Sequence, residues 1–405
     1  MILRSTVLVT LITVAASIGG VSWAEESAIV TGSVVPDRDP FYAAPSDLGS
    51  HRDGKLISSR EITAQMSAPV HAWQLAYRTN DSHGAPELAV ATLLVPLTPW
   101  TGPGRRPAVS EQIPEDSTST RCAPSYGIAT GTLQSGKQID EMLAENWAVL
   151  VPDFEGPKSA FLAGPQAGHA VLDGIRAAEQ FEPAGIGPNA DWALDGYSGG
   201  AAATGWAAEL QPSYAPELKF VGAAIGGVPA DLPAVIEYVD GGPFAGFIFG
   251  AMVGYNREFP DAHIDTMLND HGRVSMAQAD DMCVVELLTR FPFHRLAWNT
   301  IGADPLHDPR LVEVLRANSL GTTAPTMPIY NYHADSDEVV PVGQADELIA
   351  KWRRGGTRVV TARDPIGEHA LEAGHRQPAA QAFLQHRFTD NGPATDVDMD
   401  RTVSR

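Results

Sequence analysis

Residues 192–210, WALDGYSGGAAATGWAAEL, constrain the chain more than any other stretch. Trp192-Ala193-Leu194 ends a short apolar run of strand type. The alanine-rich run from Ala201, with Trp206 and Leu210 four apart, has helical spacing. Only Gly196-Tyr197-Ser198-Gly199-Gly200 lies between them, so the chain must turn in very few residues. Such a turn strains its central residue and requires small neighbours, because side chains there would collide with strand and helix. This is the logic of the G-x-S-x-G elbow, which lifts a serine hydroxyl above a sheet edge and next to a helix N-terminus. A serine presented in this way needs a base and an acid from elsewhere in the chain.

The remaining segments predict the scaffold. His71 to Arg78 and Leu88 to Val95 read as strands joined by the turn DSHGAP, and Ala108 to Ile113 as another. Asp140 to Glu145 reads as a short helix, and Trp147 to Val151 as a strand buried on both faces. His169 to Phe181 has helical spacing, and Phe220 to Ile225 reads as a strand. Strands alternating with helices predict an α/β fold of the α/β-hydrolase type, a mostly parallel sheet covered on both sides. The alternation stops at Val228 and resumes with Pro328 to Tyr332, Gln344 to Trp352, Arg358 to Ala362 and Gln377 to Phe388. Residues 228–310 are therefore expected to form a helical cap inserted in a core of residues 25–227 and 311–388. Its Phe244, Phe247, Ile248, Phe249 and Met252 are too dense for a surface and are expected to form the cap's inner face, lining the path to the serine. Gly242, Gly246 and Gly250, spaced by four, would let another backbone approach. Residues 36–60 read as an irregular arm, 389–405 as a disordered polar tail, and no internal repeat is visible.

The chain has 405 residues and a formal charge of −21, which argues against nucleic acid as a partner. At the N-terminus Arg4 precedes an apolar stretch from Val7 to Val21, then Ser22-Trp23-Ala24 with small residues three and one before a cut. This is the pattern of a signal peptide, residues 1–24, and predicts secretion. No later stretch reads as a membrane-spanning helix. Export brings oxidising conditions, so the only two cysteines, Cys122 and Cys283, are expected to pair. With no CxxC spacing, a structural zinc site is not expected.

In this architecture the order along the chain is serine, acid, histidine. Nine of the twelve histidines precede the candidate acid, leaving His369, His375 and His386. His369 sits in DPIGEHALEAG after a strand, where a base belongs; His375 competes with it, and His386 falls inside a helix. PIYNYHADSDEVVP offers Asp335, Asp337 and Glu338 as acids, with Asp337 at the start of the turn. A rival reading takes His333, Asp335 and Asp337 as metal ligands, since alternating strand residues share a face, but no second ligand cluster completes the sphere.

Taken together, EDSTSTRCAPSY, NWAVLVPDFEGP, GHAVLDGIRAA, GYSGGAAATGWAAEL, APELKFVGAAIGGVPADL, DSDEVVP and GEH, with Phe41-Tyr42 before them, resemble the secretory lipase family of fungi and actinobacteria. The matches run in order over nearly the whole mature chain. The resemblance implies Ser198 as nucleophile, Asp337 as acid, His369 as base and a Cys122–Cys283 disulfide. It implies an oxyanion hole from the Gly199 N–H and Asp116, with Glu115 as the neighbouring alternative. The family elbow often reads G-Y-S-Q-G; Gly199 in place of glutamine keeps the N–H and is expected to loosen the hole. The expected substrate is an acylglycerol or other ester, with no cofactor and no metal. The alternatives are an esterase for short soluble esters, a peptidase on the same fold, or a non-catalytic binding protein.

Overall fold

Strand residues that alternate between two apolar layers lay down the sheet. The computed structural model describes residues 34–133, 136–302 and 305–389; the expected signal peptide and residues 390–405 of the expected tail lie outside them. In chain order the strands are β1 (Leu56–Ile62), β2 (Val70–Asn80), β3 (Pro86–Pro96), β4 (Ala108–Gln112), β5 (Ala148–Pro152), β6 (Asp191–Tyr197), β7 (Lys219–Gly226), β8 (Ile329–Ala334) and β9 (Val359–Asp364). They form one sheet in the order β1-β2-β3-β5-β4-β6-β7-β8-β9. The pairs from β5 to β9 are parallel and those from β1 through β3 to β5 antiparallel.

The helices of the core are α1 (Pro124–Thr130), α2 (Lys137–Ala144), α3 (Gly164–Gln180) and α4 (Gly199–Tyr214). Between β7 and β8 run α5 (Leu232–Val239), α6 (Gly246–Glu258), α7 (Asp270–Ala279), α8 (Val284–Arg290) and α9 (Pro309–Ala317), and the chain ends with α10 (Val342–Arg354) and α11 (His369–Thr389). Trp192 and Leu194 of β6 face a core shared with α3, α4 and α10, whereas Ala193 and Tyr197 face one shared with α1, α2 and α11. A period of two along each strand thus buries both faces, as parallel sheets require. The β2–β3 hairpin closes where Asp81 Oδ1 accepts the N–H groups of His83 and Ala85, at 2.9 and 2.8 Å.

Several boundaries differ from the sequence reading. The arm expected over residues 36–60 has three short 3₁₀ turns and then enters β1, an edge strand whose LISSREI has no apolar run because one side faces solvent. The last helix begins at His369, eight residues before the expected Gln377. Pro378, a residue type that favours a helix's first turn, here sits inside the helix. The short α1 was not anticipated at all.

The helices between β7 and β8 share a core of their own. Leu232, Ile236 and Val239 of α5, Ile248 and Met252 of α6, and Leu311 and Leu315 of α9 pack together with Phe161. The helical run therefore extends to Ala317, seven residues past the expected boundary at 310. Gly246 and Gly254 mark where α6 meets other backbone, and Gly250 between them faces the side chains of Leu287 and Phe161. A Cβ on Gly246 would lie 2.6 Å from the Leu287 carbonyl carbon, and one on Gly254 would lie 2.6 Å from the Phe161 nitrogen. The far end of α6 is held by Glu258, whose Oε2 lies 3.0 Å from Lys158 Nζ and whose Oε1 accepts the Ser82 N–H at 2.7 Å. Cys122 and Cys283 form a disulfide that joins the segment before α1 to the start of α8. Among the described residues no helix is long and apolar enough to cross a membrane.

Candidate active site

Ser198 stands between the end of β6 and the first turn of α4, with φ 54° and ψ −123°, a conformation that non-glycine residues rarely adopt. Its N–H donates to Gly226 O at 2.9 Å and its carbonyl accepts the Ala202 N–H at 3.1 Å, so the turn is held from both sides. The flanking glycines are steric necessities. A Cβ on Gly196 would lie 2.5 Å from Gly200 O, and one on Gly200 would lie 2.8 Å from the carbonyl carbon of Gln112.

Ser198 Oγ lies 2.9 Å from His369 Nε2, and His369 Nδ1 lies 2.7 Å from Asp337 Oδ2. His369 opens α11, where its backbone N–H donates to Glu338 Oε2 at 3.1 Å and its carbonyl accepts the Tyr197 hydroxyl at 2.6 Å. Asp337 follows β8, and its Oδ1 accepts the N–H groups of Val339 and Val340 at 2.9 and 2.7 Å. Burial alone would raise the Asp337 carboxyl. Hydrogen bonds from His333, His369 and Val340, with the charge of His369, outweigh it and hold Asp337 well below the usual carboxylate range.

The structure thus brings Ser198, Asp337 and His369 together. His375 is largely exposed and its Nδ1 lies 2.6 Å from Asp364 Oδ2. Asp335 is exposed, whereas His333 is fully buried against Asp337. The expected alternation of His333, Asp335 and Asp337 therefore does not make a shared ligand face. A separate group, Asp364, Glu372 and His375, places ligand atoms within 4.8 Å of one another, but His375 is already paired with Asp364 and Arg376 Nε lies 3.9 Å from Glu372.

Asp116 is buried with φ 47°, and its carboxylate lies against Gly199 so closely that any Cβ there would collide with it. The space that a larger side chain would fill at position 199 is taken by Asp116. Burial pushes the Asp116 carboxyl up to about 7, against the opposing charge of His369, and its Oδ1 has no hydrogen-bond partner. Glu115 is buried beside Glu155, and it is Asp116 whose carboxylate meets position 199. Glu155 anchors the loop by accepting the Ser117 N–H and hydroxyl, at 3.3 and 3.2 Å on Oε2. Thr118 N–H donates to Met282 O at 2.9 Å, so the loop is also stitched to the segment before α8.

Above Ser198 lies a small, largely apolar cavity of about 30 Å³. Phe161, Leu162, Val235, Val239, Phe247 and Val340 are among its walls. A second, smaller still at about 10 Å³, shares Phe161, Leu162 and Gly199 and extends to Trp206 and Asn318. Of the three phenylalanines expected here, Phe247 borders the first cavity. Phe249 stacks on Phe291 with ring centres 4.3 Å apart in a separate core, and Phe244 packs in the core of α5, α6 and α9. The sequence reading named His333 only as an alternative metal ligand and gave no site role to Tyr197, Phe161 or Leu162. His333 carried a signal in its spacing of four from Asp337 at a strand end; Phe161 and Leu162 carried none, being in a loop far from the elbow in sequence.

A mostly parallel sheet with a serine at the sharp turn between β6 and α4 defines the α/β-hydrolase class. Comparison with known proteins narrows this: the secretory lipase family model matches residues 127–396. Lipase A of Moesziomyces aphidis is 33% identical over 356 residues, covering 82% of this chain and 76% of that protein. A secreted triacylglycerol lipase of Malassezia restricta is 33% identical over 347 residues, covering 80% and 73%. The X-ray structure of Candida antarctica lipase A in its closed state superposes with a TM-score of 0.84 at 29% identity, covering 90% and 88% of the two chains. The chain belongs to the secretory lipase family, and with that family it is an ester hydrolase.

Proposed function

We propose that this chain is an exported triacylglycerol lipase in which Ser198 is the nucleophile. The observation that carries the reading is the 2.9 Å approach of His369 Nε2 to Ser198 Oγ at the elbow, beneath an apolar cavity. Ser198 Oγ attacks the ester carbonyl carbon while its proton passes to His369 Nε2. The tetrahedral oxyanion is met by the Gly199 N–H at the start of α4 and by Asp116. When the carbon–oxygen bond to the alcohol breaks, His369 returns its proton to the leaving oxygen and Ser198 keeps the acyl group. Water then attacks the acyl carbon, gives a proton to His369, and the acid leaves as that proton returns to Ser198. Asp337 stays ionised throughout, orienting the imidazole and balancing its charge.

The acyl chain lies between Phe161, Leu162 and Phe247, and the insertion from residue 228 onward serves as the cap over it. The acylglycerol substrate is the one named for the Malassezia relative, and export follows the family's secretory character. The test is hydrolysis of p-nitrophenyl esters from C2 to C16 and of a triacylglycerol emulsion by wild type and Ser198→Ala, with fluorophosphonate labelling in parallel. Turnover of long chains that disappears in Ser198→Ala is expected. Activity confined to C2 and C4 would establish the short-ester reading instead, and an active Ser198→Ala would remove Ser198 as nucleophile.

A further inference from the structure

His333 is fully buried at the end of β8, and its Nδ1 has no hydrogen-bond partner. Leaving a buried polar atom unsatisfied costs about 1–3 kcal/mol, a cost that an apolar side chain of similar size would avoid. The other ring nitrogen accounts for the imidazole. His333 Nε2 lies 2.8 Å from Val340 O and 3.2 Å from Asp337 Oδ2. A carbonyl oxygen only accepts, so Nε2 must carry the hydrogen, and the bare nitrogen is Nδ1. We propose that His333 is a positioning residue for the acid of the triad: its Nε2–H is shared between Val340 O and Asp337 Oδ2 and holds the carboxylate in the orientation that His369 needs. The proposal rests on the reading of Ser198, Asp337 and His369 as one reacting unit.

The geometry gives the reason. Asp337 Oδ2 faces two imidazoles, His369 Nδ1 at 2.7 Å and His333 Nε2 at 3.2 Å, while Oδ1 takes the Val339 and Val340 N–H groups. The final torsion of an aspartate is broad, and because one torsion moves both oxygens every donor on either oxygen narrows it. His333 adds a donor on the oxygen that faces His369. It also grips Val340, whose own N–H holds Asp337, so one ring fixes the carboxylate and the turn that carries it. Tyr238 of α5 adds a contact from the insertion, its hydroxyl donating to Asp337 O at 3.1 Å.

Two substitutions separate donor from filler. His333→Gln keeps an N–H near the position of Nε2, and His333→Met keeps the volume without it. Steady-state kinetics on a p-nitrophenyl ester, with the thermal midpoint of each variant, are expected to show kcat of His333→Met lowered roughly 10–100-fold, the scale seen when an orienting partner is removed. KM stays within about twofold, because the contact is not to substrate, and His333→Gln recovers most of the loss. Equal losses in both variants, or none in either, would overturn the proposal. Nitrogen-15 NMR of the wild-type rings decides it even where a variant fails to fold: a neutral Nε2–H tautomer at His333 is expected, and an Nδ1–H tautomer overturns it. If wild type neither turns over ester nor reacts with fluorophosphonate, the nucleophile reading has failed, whereas an active wild type with an indifferent His333→Met fails this proposal alone.

Discussion

Ser198 holds a positive φ at a cost of about 1–3 kcal/mol, and the turn persists because Gly196 and Gly200 leave no other arrangement for strand and helix. This part of the site is legible in sequence, because close-range sterics dictate both the glycines and the serine between them. On the proposal that Ser198 and His369 act as one unit, Ser198→Ala and His369→Ala are each expected to lower ester hydrolysis by several orders of magnitude. The double variant should be little worse than either, as single-turnover assays would show. Asp116 is different, because its identity in sequence says nothing of its protonation. Held at about 7 by burial, it carries its proton below that pH, where its hydroxyl can donate to the oxyanion, and loses it above. The kcat/KM of the wild type is therefore expected to decline as pH rises through about 7. Asp116→Asn, with an amide donor at every pH, should flatten that decline, and Asp116→Leu should lose on the order of 10²–10³ in kcat at pH 6. An unchanged profile in Asp116→Asn would assign the decline to another group.

Among the elements, α6 shows where reading by periodicity stops. Its sequence GFIFGAMVGYNRE is apolar on every side, so no stripe marks an inner face. Phe247 and Phe249 are two residues apart, or about 200° around a helix, and cannot both line one cavity. The structure turns Phe247 to the cavity above Ser198 and Phe249 to Phe291 and Leu287. Phe247→Trp is accordingly expected to shift preference towards shorter acyl chains while the thermal midpoint holds. Phe249→Ala should cost about 3–5 kcal/mol of stability by opening a cavity, with the chain-length profile unchanged. A uniform loss across chain lengths in Phe247→Trp would place that residue in the packing instead. The central strands were legible because burial on both faces leaves runs such as Ala148–Pro152 with almost no polar residue. The edge strand β1 and the start of α11 were not: one has a solvated face, and the other carries a proline past its first turn. His333 was visible only as a spacing, and its meaning comes from the turn that folds Val340 back onto it.

The molecule as a whole is acidic, and much of that acid is inside. Glu87, Glu111, Glu115, Asp116, Asp153, Glu155 and Asp195 are all buried. Burial is the main cause that pushes Glu87, Asp116 and Asp153 up to about 7 and Asp195 to about 6, and raises Glu111, Glu115 and Glu155 well above the usual carboxylate range. The disulfide between Cys122 and Cys283, separated by 161 positions, ties the loop beside these acids to α8 and should add up to about 5 kcal/mol by limiting the unfolded chain. A carboxyl whose pKa is higher folded than unfolded binds its proton more tightly in the native state. Its contribution to stability is full below the unfolded value near 4 and erodes as pH rises towards 7. Asp337 runs the other way, adding stability above pH 4 that is lost on acidification. Lowered carboxyls such as Asp337, Glu217 and Asp364 are outnumbered by raised ones, and a net charge of −21 repels itself ever more as protons leave, so stability is expected to peak near pH 4. Calorimetry should show the unfolding midpoint dropping by roughly 5–10 °C between pH 5 and pH 8. Glu111→Gln mimics the protonated form of one partner in the buried Glu111–Asp195 pair and should make the drop shallower. A midpoint that holds or rises over that range would mean that these carboxyls are already ionised in the folded protein at pH 5, with compensation from groups other than those named.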